Sequence, residues 1–147
     1  DGNNVCSRFI QAAALFDFRL NIATPPAYGP DLVDLARARA GGAAIEVTDD
    51  PRAAVEGADA VITDTWVSMG DTDVDARLQA LSPYQVDAAL MALAAPDAVF
   101  LHDLPAHRGD EVTEEVIDGP RSLVWDEAEN RIHAQKAVLA WCIGGNG

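Results

Sequence analysis

Four short apolar runs alternate with longer stretches of helical periodicity, and no other feature of the sequence limits the fold as strongly. The runs have the length of strands and occupy residues 19–23, 44–48, 59–63 and 98–101. Parallel strands need a crossover connection, usually a helix, so this alternation predicts a parallel sheet. The sequence therefore predicts an α/β fold, a Rossmann-like three-layer α/β/α arrangement that forms one domain over residues 1–147.

The predicted helices begin at polar capping residues and end at glycine or proline turns. A helix over residues 4–16 has Asn3 or Asn4 as its cap, and a helix over 31–40 begins on an Asp31 cap. Asp50-Pro51 opens a short helix that Gly57 ends. Further helices are predicted over residues 74–81, 87–94, 111–117 and 127–143.

The loop Asp1-Gly2-Asn3-Asn4 is typical of a turn between a strand and a helix, yet no strand precedes it. We therefore expect a chain that was cut, engineered or taken from a longer one. The strand that is missing would be central in this fold, and its loss would leave strand edges unpaired. Such edges predict self-association, which makes a homo-oligomer one expected partner state.

Charge and cysteine content exclude several classes of partner. The chain has 24 acidic and 10 basic residues and a net charge of −14. This charge disfavours nucleic acids and anionic membranes as partners, because both bind clustered Lys and Arg. No apolar run reaches the about 18 residues that a membrane-spanning helix needs. The 2 Cys and 3 scattered His form neither a disulfide scaffold nor a zinc site, which favours a cytoplasmic protein.

Two polar loops near predicted strand ends are candidate binding loops, because ligands of parallel sheets bind there. Residues 1–4 offer a helix N-terminus that favours an anion such as a carboxylate, although a simple helix cap is the alternative. In residues 64–70, Asp64 can hold a ligand ammonium, and Ser68 can complete its hydrogen bonds. The alternative is that Trp66 and Met69 are core side chains and Asp64 is a cap.

A third polar loop, residues 102–109, contains a His-Asp pair that could serve in acid/base chemistry. Neighbours on a strand point to opposite faces, so a structural role for His102 is the alternative. Pro105 is expected to fix a rigid turn, with a cis bond as one option. Arg131, in the acidic cluster 126–131, either forms a surface salt bridge or contacts a phosphate or carboxylate.

Taken together, these clusters resemble ornithine carbamoyltransferase, and in particular the L-ornithine-binding domain that forms the second half of that enzyme. The resemblance covers essentially the whole chain in order. It rests on DGNN (1–4), ATP (23–25) with Tyr28, TDTWVSMG (63–70), YQV (84–86), HxLP (102–105) with HRG (107–109), and EAENR (127–131). The DxWxSMG loop is the most specific stretch, because it separates ornithine enzymes from aspartate and putrescine relatives.

The resemblance implies L-ornithine as the ligand and assigns substrate-binding roles to four residues. Asn4 would bind the region of the ornithine α-carboxylate, and Asp64 would hold the α-ammonium. Ser68 and Met69 would close the loop on the substrate. In the family reaction, the side-chain amine of ornithine attacks carbamoyl phosphate to give citrulline and phosphate, with no metal or organic cofactor.

Three residues would take part in the chemistry that the resemblance implies. The Leu104 carbonyl would help hold the carbamoyl group, and Arg131 would contact carbamoyl phosphate. Asp103 stands where the family motif has Cys, beside the reacting amine. A carboxylate there would keep the amine in its unreactive ammonium form, so we expect impaired chemistry.

Two further departures leave an alternative function open. The family's carbamoyl-phosphate-binding domain is absent from this sequence, so carbamoyl phosphate is an expected partner only with that domain. Arg8 occupies a helix position that is normally small and polar. An engineered or non-catalytic scaffold, in which Asp103 and Arg8 serve packing or assembly, is therefore the second hypothesis. New hydrolytic chemistry by His102 and Asp103 is a weaker third.

Overall fold

The computed structural model describes residues 1–68, 70 and 72–144, and its helices and strands follow one another in the predicted order. The strands are β1 (Leu20–Ala23), β2 (Ile45–Thr48), β3 (Ala60–Ile62) and β4 (Val99–Leu101). The helices are α1 (Asn4–Ala13), α2 (Leu32–Ala40), α3 (Pro51–Val55), α4 (Val74–Leu81), α5 (Ala88–Met91), α6 (Glu114–Ile117) and α7 (Val124–Ile143). Short 3₁₀ turns cover Pro26–Tyr28 and Ser82–Tyr84.

The strands pair in parallel, which confirms the predicted α/β class. β1 pairs with β2, with Ile22 opposite Val47, and β3 pairs with β4, with Val61 opposite Phe100. The described strands form two separate two-stranded sheets rather than the single sheet that we predicted. A cavity of about 980 Å³ is lined by residues of both β1 and β3 and lies between the two sheets.

The buried apolar side chains are divided in the same way as the sheets. One cluster gathers around Phe100 and Val61, and the other around Ile10 and Ile22. Parallel strands are normally covered on both faces, yet Ile62 of β3 is 36% exposed and lines the cavity. The edges of β1 and β3 that face this cavity are therefore the exposed edges predicted from the sequence.

Capping explains where most helices begin. The Asn3 side chain accepts hydrogen bonds from Val5 N and Cys6 N, both at 3.0 Å, so Asn3 rather than Asn4 is the cap of α1. Asp31 caps α2 and Asp50 caps α3, as predicted. These caps satisfy backbone N–H groups that have no partner within the helix.

Four predicted helix boundaries are wrong by three residues. One is the end of α5, which lies at Met91 rather than at residue 94. The other three have identifiable reasons. α1 ends at Ala13 rather than at residue 16, because Leu15 and Phe16 are exposed and no packing extends the helix. α6 begins at Glu114 rather than at Glu111, because the fully buried Glu111 side chain bonds other groups instead. α7 begins at Val124, three residues earlier than predicted, because Val124 is fully buried in the Phe100 cluster.

The last helix differs from the others in its exposure. Every residue of α7 from position 128 to position 143 is exposed. None of the helices within the described ranges is both long and apolar enough to cross a membrane.

We expect the isolated chain to self-associate through the open edges of β1 and β3, because unpaired strand edges template further pairing. Ile62→Lys should shift the chain towards monomer in size-exclusion chromatography with light scattering, because a lysine on a strand edge opposes pairing. Leu32→Lys, which changes a side chain that is 78% exposed on α2, is the matched control and should leave the association unchanged. A clean monomer for the unaltered chain would contradict the expectation.

Candidate active site

Asp64, which follows β3, is held by contacts from the beginning of α1 and from its own loop. The Asn3 amide Nδ2 donates to Asp64 Oδ2, while the Asn3 oxygen caps α1. The backbone N–H of Thr65 donates to Asp64 Oδ1 at 2.6 Å. These bonds fix the orientation of a half-buried carboxylate at the carboxyl end of the strand.

Asp103, from the loop after β4, lies beside Asp64, with a carboxylate oxygen of each within 4.8 Å of the other. The pKa of Asp103 is raised to about 6, because burial and then the neighbouring Asp64 carboxylate disfavour its charged form more than His102 favours it. Two carboxylates this close repel each other when both are ionised. A proton or a cationic ligand between them relieves this repulsion.

This pair predicts a pH dependence of stability. The pKa of Asp103 is about 6 in the folded chain against an ordinary value of 3.8, so the folded chain binds this proton more tightly than the unfolded chain. Stability should therefore fall as the pH rises from about 4 to about 6. Asp103→Asn removes this titration. The melting temperature of the variant should therefore rise relative to that of the parent as the pH increases from about 4 to about 6. Parallel melting curves across this range would contradict the assignment.

His102 is fully buried, and its backbone and ring contacts are structural. Its backbone N–H donates to Glu127 Oε2 at 2.9 Å, its Nδ1 accepts from the Leu104 N–H at 2.9 Å, and its Nε2 lies 3.3 Å from Glu111 Oε1. His102 Nδ1 is 3.8 Å from Asp103 Oδ1, beyond hydrogen-bond reach. Both ring nitrogens are thus engaged, which argues against the hydrolytic hypothesis and favours the structural role for His102.

Asp64, His102 and Asp103 each place one potential metal-ligand atom within 4.8 Å of the others. However, the Leu104 N–H occupies the His102 nitrogen on that side. Two carboxylates remain, and carboxylates accept hydrogen bonds from ammonium groups as readily as they bind hard metal ions. The arrangement therefore suits a cation that donates hydrogen bonds.

Leu104 occupies an unusual backbone conformation next to this pair. Its φ is 56°, in the left-handed region, and the Leu104–Pro105 peptide bond is cis, as the sequence analysis allowed. Left-handed backbone is unfavourable for a leucine. The turn therefore depends on the surrounding contacts, among them the hydrogen bond to His102.

The loop over residues 64–70 is anchored by Trp66, which is 5% exposed and belongs to the core. This confirms the alternative interpretation for Trp66, while Asp64 serves both as a turn-forming residue and as a candidate ligand group. Ser68 is exposed. Met69 lies outside the described residues, so its expected role stays a prediction.

Arg77 of α4 is a structural residue that the sequence analysis missed. Its side chain forms a buried ion pair with Asp1, its Nε donates to Trp66 O at 2.8 Å, and its guanidinium lies 4.8 Å from the Tyr28 ring centroid. Arg77 thus links the beginning of α1 to the loop that carries Asp64. The only sequence signal for this residue was an arginine among helical residues, which is not specific.

For two of the predicted site residues, Asn4 and Arg131, the structure gives no contact that tests the assigned role. Asn4 is the exposed first residue of α1, and its neighbour Asn3 contacts Asp64 instead. Arg131 is exposed on α7, one helical turn after Glu127, so it shares a helix face with the residue that bonds His102. The roles assigned to both residues stay predictions.

Comparison with known proteins gives consistent results. A family model described as "Aspartate/ornithine carbamoyltransferase, Asp/Orn binding domain" matches residues 1–142. The chain is 68% identical over 147 residues to an ornithine carbamoyltransferase of Caulobacter vibrioides, covering 100% of this chain and 47% of that protein. It is 60% identical over 144 residues to one from Rhodopseudomonas palustris, covering 98% of this chain and 46% of the relative.

Solved structures match over the same region. The ornithine carbamoyltransferase from Pyrococcus furiosus superposes with a TM-score of 0.92 at 45% identity, over 100% of this chain and 49% of that one. The anabolic enzyme from Campylobacter jejuni superposes with a TM-score of 0.91 at 35% identity, over 96% of this chain and 48% of that one. The chain therefore spans about half the length of the curated relatives that it matches.

Proposed function

The chain belongs to the aspartate/ornithine carbamoyltransferase family and matches its Asp/Orn-binding domain, and from this premise we propose that it is the ornithine-binding half of an ornithine carbamoyltransferase. The observation that carries the proposal is the position of Asp64. Its carboxylate is oriented by Asn3 and Thr65 and lies beside Asp103, so the pair can accept a cationic amino group. High identity to enzymes that bear this name supports the choice of ornithine.

In the proposed site, the two ends of the amino acid are recognised by opposite charges. Asp64 holds the α-ammonium through charge-assisted hydrogen bonds. The N-terminus of α1, with its partial positive charge, faces the α-carboxylate together with Asn4. Asn3 is added to this set as the residue that orients Asp64, because its amide bonds that carboxylate directly.

The proposed reaction is attack of the ornithine side-chain amine on carbamoyl phosphate, which yields citrulline and phosphate. The Leu104 carbonyl would hold the carbamoyl group, and Arg131 would contact its phosphate. No chemical cofactor is invoked, so catalysis would come from positioning and charge stabilisation. The carbamoyl-phosphate site would need a second domain besides the one over residues 1–147.

We expect the chemistry to be slow because of Asp103. Its carboxylate lies at the position where the family motif has Cys, within 4.8 Å of the Asp64 carboxylate. A negative charge there stabilises the ammonium form of the attacking amine, which cannot act as a nucleophile. It also repels the incoming carbamoyl phosphate.

The scaffold hypothesis receives less support. Arg8 is exposed, and its guanidinium bonds the Gln11 side chain at 2.9 Å on the surface of α1. It therefore contributes nothing visible to packing, which is the role that the hypothesis gives it.

A chimera tests the proposed function. Residues 1–147 would replace the matching half of the Caulobacter vibrioides relative, which supplies the other half of the protein. We expect citrulline formation from ornithine and carbamoyl phosphate at a low rate, and no carbamoylation of aspartate or putrescine. A folded chimera that binds no ornithine in calorimetric titration would contradict the proposal and favour the scaffold hypothesis.

A further inference from the structure

Glu111 is a buried carboxylate to which neither the sequence analysis nor the proposed function gives a role. Its side chain is 1% exposed, and its Oε2, which lies 3.7 Å from His107 Nδ1, has no hydrogen-bond partner among the described residues. A buried charge with an unsatisfied oxygen costs free energy. Stability is therefore a poor explanation for an acid at this position.

The contacts of Glu111 lie at both ends of the turn that contains Leu104 and Pro105. Its Oε1 is 3.3 Å from His102 Nε2 and also accepts a hydrogen bond from the His107 backbone N–H. Burial alone would raise the pKa of Glu111, but the hydrogen bonds from His102 and His107 hold it below its ordinary value. The side chain is therefore a charged acceptor whose Oε1 contacts both His102 and His107.

A charged acceptor at Nε2 determines which nitrogen of His102 carries the proton. Because Glu111 can only accept, the proton lies on Nε2, and Nδ1 of the neutral ring keeps its lone pair. That lone pair accepts the Leu104 N–H at 2.9 Å. The opposite tautomer would place an N–H on Nδ1 against the Leu104 N–H, and the bond would be lost.

The hydrogen bond from the Leu104 N–H to His102 Nδ1 restrains a residue with an unfavourable backbone conformation. Leu104 has a φ of 56°, and for a leucine this conformation persists only when its surroundings impose it. We propose that Glu111 is a positioning residue that holds the Leu104 carbonyl in place by fixing the tautomer of His102. The proposal rests on the proposed function, in which that carbonyl holds the carbamoyl group.

The direct test is the tautomer of His102, measured by ¹⁵N NMR of the chain labelled at its 3 histidines. We expect the proton on Nε2 in the parent chain. Glu111→Gln keeps an acceptor oxygen, so it should keep this tautomer. Glu111→Leu has similar volume but no acceptor, so the proton should redistribute to Nδ1. The control, Glu114→Leu, changes an exposed acid of α6 and should have no effect.

The chimera provides the functional readout. Glu111→Leu should lower kcat by up to about 100-fold, the cost of misplacing a reacting group by roughly 1 Å, with a smaller change in the KM for ornithine. Glu111→Gln should restore most of the rate. A role in folding alone would instead lower the melting temperature of both variants without a selective loss of kcat.

The outcomes separate this inference from the proposed function. A parent chain with its His102 proton on Nδ1 overturns the inference even if no variant folds. So does Glu111→Leu with an unchanged tautomer. Absence of ornithine binding in the parent chimera overturns the proposed function instead, and leaves the tautomer measurement to decide the inference.

Discussion

Asp103→Cys is expected to raise the rate of citrulline formation by the chimera about 10- to 1000-fold. The physical reason is the protonation state of the attacking amine. A neighbouring carboxylate shifts the pKa of such an amine upward by about one to three units, and each unit costs about tenfold in the reactive neutral form. Steady-state rates at saturating ornithine and carbamoyl phosphate measure the effect.

The structure strengthens this expectation. A carboxylate oxygen of Asp103 lies within 4.8 Å of one of Asp64, the residue proposed to hold the α-ammonium, so the charge of Asp103 lies beside the proposed substrate site. A cysteine in its place would also remove the repulsion between the two neighbouring carboxylates.

Asp103→Asn is the matched control for charge. It removes the negative charge without adding a thiol, so it should recover much of the gain if charge is the cause. A gain with Cys but none with Asn would assign the effect to the thiol instead. No gain with either variant would contradict the argument.

Asp64→Asn is expected to weaken ornithine binding about 10- to 150-fold. Hydrogen bonds to charged groups contribute about 1.5–3 kcal/mol, and each 1.4 kcal/mol is a factor of ten in affinity. The substitution keeps the size of the side chain and its place beside Asn3 and Thr65, so it tests the charge rather than the packing. Calorimetric titration with ornithine provides the dissociation constant.

A surface acid is the control for the Asp64 experiment. Asp97 is exposed in the turn before β4, and Asp97→Asn lowers the net negative charge of the chain by the same amount. It should leave ornithine affinity unchanged. If both variants bind ornithine as tightly as the parent, Asp64 does not hold the ammonium and the proposed site is wrong.

Much of the local structure followed from residues close together in the chain. The caps Asp31 and Asp50 were predicted because a capping side chain bonds backbone groups two or three residues away. The strands were predicted to within one residue at each end, because short apolar runs separated by turns leave few alternatives. The DTWVSMG loop identified the family for a similar reason, since its specificity is contained in seven consecutive letters.

The composition of the site depended on contacts between distant parts of the chain. Asn3 and Asp64 are 61 positions apart, and Arg77 and Asp1 are 76 apart. Such pairs meet only when strands and helices pack, and no periodicity along the chain specifies which of two adjacent asparagines will face the partner. Glu111 shows the same limit: it was predicted only as the first residue of a helix, whereas packing buries it beside His102. Local propensity thus set the elements, and burial together with hydrogen-bond satisfaction set the site, because only the folded chain determines which polar groups lose water and must find partners.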